Sequence, residues 1–595
     1  MKPRPRVERS FKRCLPVVLA AGMVVGSGGG CSSGMEAIDN RTRSLMRERS
    51  LALGKDATPP ARVLQAEHAA RESMYERRPP TLNPDAASLM FARAKADRDV
   101  ASLLDAYSTA SEEYAESATR LDLFGVWRTA QQMGREYLAQ EEDYIFAAIR
   151  LLIERHRWSP RLFNDTSVNL SGRGDDGAWR SALNVINELR ATQRLPFGGE
   201  IEARWLVEAT RQLRDVATDR YVQSSELAIS ATIPLLRNAG RYAQEDIIQA
   251  ERNLVYAARD FEQFRRAYLV EIARDYFALL QSQAQIANQL RQIESQERFL
   301  ESTAEKVAAG RLRGFQERLV RTQLARSRSS LENLREQYRL QRSRFKIRMG
   351  LSPDMPVEFD PFELDLPVPD VSELHASELA LLYRLDLQNR RDQLADAHRA
   401  VRNARNQLLP DLNLRATGAL PTDEDRSEGG LRFDGDDARY SLGVTFGLPL
   451  DREIERLNLR QSLIRLGQQE RQYEQFRDTL LVEARQSVRS VALAQYQLQL
   501  AEAQIRDTEL RLEEQRINED IIDPQQRIDT ENDLLEARNA RDQSITDLRN
   551  AILNYLLVTG QLRVEPDGTI KRLPGMTVLD AEERPPQSSE NGEGD

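Results

Sequence analysis

The chain has 595 residues, 40% of them hydrophobic, 30% charged and 6% aromatic, with a net charge of −9. A compact globule of this length carries more apolar bulk for its core, whereas long amphipathic helices need only an apolar stripe each. Lys and Arg are interspersed with Asp and Glu, so the chain offers no basic face of the kind that nucleic acid requires.

Residues 1–30 read as an export signal. Lys2, Arg4, Arg6, Arg9, Lys12 and Arg13 precede the apolar run CLPVVLAAGMVV, and GSGGG then leads to Cys31. This is a positive n-region, a short h-region and a small-residue cleavage zone. The run is too short for a spanning helix, and no other long apolar stretch follows. Cys31 after small residues resembles a bacterial lipoprotein signal, in which the lipidated Cys becomes the mature N-terminus. Gly28 stands where that pattern usually has Leu. By the same resemblance, Ser32 favours the outer membrane. Cys14 and Cys31 are the only cysteines, so the body can hold no disulfide and no Cys-based metal site. His68, His156, His375 and His398 are scattered without metal-ligand spacing. Residues 31–118 read as an extension with Pro-bearing stretches (ATPPARV, ERRPPTLNPDAAS) and a helix or two, for example at 93–117.

The body reads as one unit used twice, at 119–350 and 373–562, with a linker at 351–372. FEQFRRAYLVE at 261–271 returns as YEQFRDTLLVE at 473–483. SELAISATIPLL (225–236) registers on YSLGVTFGLPL (440–450) through Pro234 and Pro449, and FKIRMGLSPD (345–354) on NYLLVTGQLR (554–563). Each unit is predicted to run helix, β-hairpin (161–236, then 410–450), and long helical hairpin (240–350, then 451–560). Phe261, Phe264, Tyr268 and Ile272 lie at i, i+3, i+7 and i+11, which is one packing seam on a helix face. Tyr473, Phe476 and Leu480 repeat it. A polar, acidic tail at 563–595 reads as disordered.

The predicted strands alternate strictly. Leu442, Val444, Phe446 and Leu448 share one face, against Ser441, Gly443, Thr445 and Gly447. Leu227, Ile229, Ala231 and Ile233 oppose Ala228, Ser230 and Thr232, and DLNLRAT (411–417) alternates likewise. Two isolated hairpins are marginal in water. Strands pooled by several chains close into a barrel without edges, with apolar side chains toward lipid. Residues 419–438 read as the exterior loop of the second hairpin. The first hairpin's connection is 35 residues longer; it contains PFGGEIEARW, with a Gly198-Gly199 turn signal, and reads as an extended hairpin or surface loop.

The duplicated order, together with WSP, LLPDLNL, IPLLRNAG and GLPLDRE at the strand ends, resembles the TolC-like outer-membrane efflux proteins over residues 119–562. The resemblance implies a mainly helical homotrimer in which each chain gives four strands to a twelve-stranded barrel above a tapering helical tunnel. It implies an exit duct of a tripartite efflux or type I secretion system, in the outer membrane with a large periplasmic part, passively carrying substrates from an inner-membrane pump through a periplasmic adaptor. Pro234 and Pro449 would mark the turns from barrel to tunnel. The helix tips, at 306–316 and 516–530, would meet the adaptor, with Gly310, Arg311, Arg313, Gly314, Asp523 and Gln526 as candidate contacts. Asp529 matches an acidic constriction position, where a threefold ring of carboxylates would attract cations.

No GxSxG, P-loop or His–Asp pair beside a nucleophile occurs, so neither catalysis nor a cofactor is expected. Paired carboxylates such as Glu141-Glu142 and Glu513-Glu514 read as solvated helix faces. The alternative reading of the helices alone is an exported periplasmic coiled-coil scaffold.

Overall fold

The fold is that of a computed structural model, which describes residues 35–53, 119–175, 178–212, 221–361, 368–422, 433–517 and 522–564. The signal, Cys31, the 93–117 helix and the tail from 565 onward lie outside the described residues.

Helix α1 (Met35–Leu53) opens the chain, followed by β1 (Thr119–Leu121), α2 (Leu123–Met133) and α3 (Arg135–Arg157). Four strands come next: β2 (Arg161–Asp175), β3 (Ala178–Arg194), β4 (Glu200–Gln212) and β5 (Tyr221–Pro234). Then α4 (Glu245–Ala308) and α5 (Gly314–Arg348) form a helical hairpin. The span from 351 to 372, expected as a linker, holds β6 (Val357–Phe359), which pairs in parallel with β1. The second series is α6 (Glu373–Tyr383), α7 (Leu385–Asn406), β7 (Asp411–Pro421), β8 (Arg439–Gly447), α8 (Glu453–Ile517) and α9 (Pro524–Val558). Helix lengths run in parallel, at 11, 23, 64 and 35 residues against 11, 22, 65 and 35. At 1.5 Å per residue, α4 and α8 each reach about 100 Å.

The expected four strands are six. They form one antiparallel sheet in the order β2-β3-β4-β5-β7-β8. The extra pair, β3 and β4, occupies the long connection of the first hairpin. Its turn uses Gly198 and Gly199 at φ +107° and +88°, which glycine adopts at little cost. Polar residues within its apolar rows, such as Asn187, blur the alternation of β3 in the sequence.

The seam of FEQFRRAYLVE packs as its spacing predicts. Phe261, Tyr268 and Ile272 are buried, and Phe264 stacks on Tyr268 at 5.6 Å. Tyr137 of α3 meets Phe261 edge-on at 5.6 Å. The charges of the same stretch are buried too. Glu262 accepts from Arg266 at 2.8 Å and from Arg265 at 3.3 Å. Arg266 also donates to the Gly560 carbonyl, and Arg265 to that of Val564. These arginines satisfy carbonyls just past the end of α9 that no helical N–H reaches. Glu141 is buried rather than solvated. It lies one turn before Tyr144, whose hydroxyl donates to the Met46 carbonyl of α1 at 3.3 Å. Gly350 and Gly560, one after each returning helix, press against the joints before α3 and α7. A Cβ would come within 1.9 Å of the Met133 carbonyl oxygen at Gly350 and 2.9 Å of Tyr383 backbone at Gly560.

Candidate conduction path: a two-faced sheet, long helices and their tips

The register sorts the sheet into two faces. Val168, Val185 and Ala209 are cross-strand neighbours, as are Leu189, Trp205, Leu227 and Leu420. Ile233, Leu414 and Val444 continue the same side. This face is apolar across all six strands. Val168, Leu170, Leu442, Val444 and Phe446 on the two outer strands are each more than 60% exposed. The polar groups within it find partners: Asn187 Nδ2 donates to Asn164 Oδ1 (3.0 Å) and Thr166 Oγ1 (2.7 Å), and Trp205 Nε1 donates to Ser225 Oγ (2.8 Å). The opposite face carries Asp165, Glu188, Arg204, Glu226, Thr417 and Ser441, with Arg204 and Glu226 paired at 3.1 Å. The sheet thus has one apolar and one polar face, and pairing of the polar groups on the apolar side avoids the cost of leaving them unsatisfied there.

Pro234 closes β5, and Leu235 N–H donates to the Leu412 carbonyl of β7 at 2.7 Å. Asn238 N–H donates to Asn406 Oδ1 (2.9 Å), and Gln407 Nε2 to Asn238 Oδ1 (2.7 Å). At the second joint Arg452 donates to the carbonyls of Pro449 (3.0 Å) and Leu408 (2.8 Å). Both proline joints are thus tied to the end of α7.

At the far end of the helices, Gly310 takes φ +74°. Gly310 N–H donates to the Val307 carbonyl (3.0 Å) and Arg311 N–H to that of Lys306 (2.9 Å), a Schellman closure of α4. Arg311, Arg313 and Gly314 are exposed there. Asp523 caps α9 by accepting from Gln525 N–H at 3.2 Å, and Gln526 is exposed. Residues 518–521 of the second tip lie outside the described residues. Asp529 is exposed and accepts from Gln525 Nε2 at 2.8 Å. The N-cap and first two turns of α9 therefore carry Asp523, Gln526 and Asp529 at three-residue spacing, with the 310–314 turn at the end of the neighbouring hairpin. Beneath them Phe299, Val320 and Ile528 join α4, α5 and α9.

A buried acid near this tip has no signal in the sequence. Glu531 is 3% exposed. It accepts from Ser295 Oγ at 2.9 Å and faces Arg527, whose guanidinium lies 4.2 Å over the Phe299 ring. Burial raises its carboxyl above the usual range. Among the described residues no cluster of His, Cys, Asp or Glu could hold a metal ion, and no helix is long and apolar enough to cross a membrane.

Residues 376–552 match the family model described as outer membrane efflux protein. Solved outer-membrane channels share the fold. The Vibrio cholerae channel VceC matches at 16% identity and TM-score 0.56, over 74% of this chain and 96% of its own. The Campylobacter jejuni channel CmeC matches at 15% and 0.54, over 74% and 85%. The open-state Neisseria gonorrhoeae channel MtrE matches at 13% and 0.52, over 74% and 88%. No curated protein matches the sequence. The family match over residues 376–552 and the shared fold bear out the resemblance to TolC-like outer-membrane efflux proteins.

Proposed function

We propose that this chain, which carries an outer membrane efflux protein domain, is the exit duct of a tripartite efflux or type I secretion system. The observation that carries the reading is one sheet, apolar on one face and polar on the other, joined directly to helices of about 100 Å. The sheet suits a lipid bilayer and the helices suit a tunnel across the periplasm.

Three copies close the duct. Within one chain the tip half of the helix layer runs α5, α4, α9, α8 and the sheet half α3, α4, α7, α8, so α5 and α3 form one edge and α8 the other. The sheet likewise has β2 and β8 as edges. A head-to-tail interface that closes by rotation satisfies both layers at once. Homotrimerisation follows the resemblance. An adaptor would dock on the tips around Gly310, Arg311, Arg313, Gly314, Asp523 and Gln526, and its binding would shift the population toward an open tip. Energy would come from the inner-membrane pump. Asp529 would supply the carboxylate ring of the constriction, and lipidation of Cys31 would add an anchor in the outer membrane.

Reconstitution of the purified full chain into planar bilayers tests this. The expected result is discrete conductance steps that favour cations, with the preference reduced in Asp529→Asn. A water-soluble chain that never inserts would instead support the coiled-coil scaffold.

A further inference from the structure

We propose that the barrel is built from eighteen strands, six per chain, with β2 of one copy pairing with β8 of the next. The inference rests on the trimeric duct reading above and deepens it. The extra hairpin β3–β4 is part of the sheet and not a cap over it. Thirteen residue pairs join β3 to β4 and twelve join β4 to β5. Its apolar residues fall on the same side as those of its neighbours: Val185 between Val168 and Ala209, and Trp205 between Leu189 and Leu227. A surface hairpin in water has no reason to keep this register of faces across two foreign strands.

The hairpin is also fastened at the helix side of the sheet. Its turn, 195–199, sits under the start of α4. Gly240 N–H donates to the Phe197 carbonyl at 2.8 Å and Gln244 Nε2 to that of Pro196 at 2.6 Å. The extra strands thus bring no helix of their own. Four strand ends per chain continue into helices, and this fifth connection turns back.

The strand directions permit closure. Successive strands of the sheet alternate in direction from β2 to β8, so β2 and β8 are antiparallel. The next copy's β2 therefore meets β8 as an ordinary antiparallel neighbour, and the strand total is even, as membrane barrels of this kind require. With strands about 4.8 Å apart and tilted about 40°, eighteen enclose a cylinder about 36 Å across, against about 24 Å for twelve. The sheet part of the duct is then wider by half over the same number of helices.

Cysteine variants of the full chain in outer-membrane preparations test the proposal. Val185→Cys and Val207→Cys report on the extra hairpin, Leu442→Cys serves as the apolar-face reference, and Thr445→Cys as the polar-face reference. If the barrel has eighteen strands, thiols at 185 and 207 react with a water-soluble maleimide about tenfold more slowly than the one at 445. Fluorophores attached at 185 and 207 are quenched by nitroxide-bearing lipid as strongly as one at 442. Asn169→Cys combined in turn with cysteine at 439, 441, 443 or 445 links chains in one register, in a ladder ending at three copies. Fast aqueous labelling at 185 and 207, with lipid contact kept at 442 and a three-copy ladder, overturns the eighteen-strand barrel and leaves the duct standing. Loss of lipid contact at 442 as well, with no ladder, overturns both.

Discussion

Gly310 and Gly350 both end helices in the left-handed region, yet a methyl group tests them differently. A Cβ on Gly310 meets nothing within 4 Å. Gly310→Ala should therefore cost only about 1 kcal/mol of backbone strain. At Gly350 the same Cβ would sit 1.9 Å from the Met133 carbonyl oxygen at φ +85°. Gly350→Ala must also move α5 off the joint between α2 and α3, so its loss should exceed about 3 kcal/mol. Thermal unfolding of the two variants side by side checks the order. Glu531 gives a prediction with a pH sign. Its folded carboxyl titrates above the unfolded one because burial disfavours the charge. The folded chain therefore binds more protons between the ordinary carboxylate range and that raised value, and stability falls as pH rises through this window. Glu531→Gln should remove that fall and slow hydrogen exchange at the α4–α9 tip at neutral pH. An unchanged exchange profile at both pH extremes would contradict it.

Among elements, the strands and helices divide the labour by exposure. The sheet shows apolar side chains outward, whereas α4 buries them inward. Val444 is 64% exposed on β8, and Thr445 follows it on the opposite face. An arginine at Val444 would face lipid near mid-sheet and cost about 2–4 kcal/mol, whereas Thr445→Arg would face water and cost little. Heat-resistant oligomer on gels, compared between the two variants, measures the difference. Equal loss in both would mean that the sheet has no lipid side. Within one chain the two copies of the repeated stretch use their arginines differently. Arg265 and Arg266 reach carbonyls beyond α9, whereas the matching Arg477 pairs with its neighbour Asp478 at 3.0 Å on an exposed surface.

For the whole molecule, the same registration singles out an uncovered stripe on α8. Val270 on α4 is 1% exposed, and Val482, its counterpart 212 residues later on α8, is 58% exposed. Leu493, Tyr496, Leu500, Leu510 and Ile517 continue that exposed seam at heptad spacing. In the proposed trimer a stripe of this length on a helix edge would be covered, with α8 meeting the neighbouring copy's α5 as α4 meets α9 here. Val482→Glu combined with Leu500→Glu should leave each chain folded and abolish the trimer. Light scattering in detergent should then report one copy where the parent reports three.

Much of this protein is legible in its sequence. Proline joints, closing glycines, a repeated eleven-residue seam and strict alternation at 411–417 and 440–448 are local signals, each written within a few residues of where it acts. They sufficed for the two long helical hairpins, the returning helices and four of the strands. The tertiary structure alone decided the rest. The sheet has six strands because β3 and β4 take their faces from β2 and β5, and Asn187 hides the alternation until Asn164 and Thr166 stand beside it. Glu531 is buried because α4 lies over it, and Arg265 reaches a carbonyl 299 residues away. Periodicity reports which side of an element is apolar, but only packing between distant segments determines what that side meets.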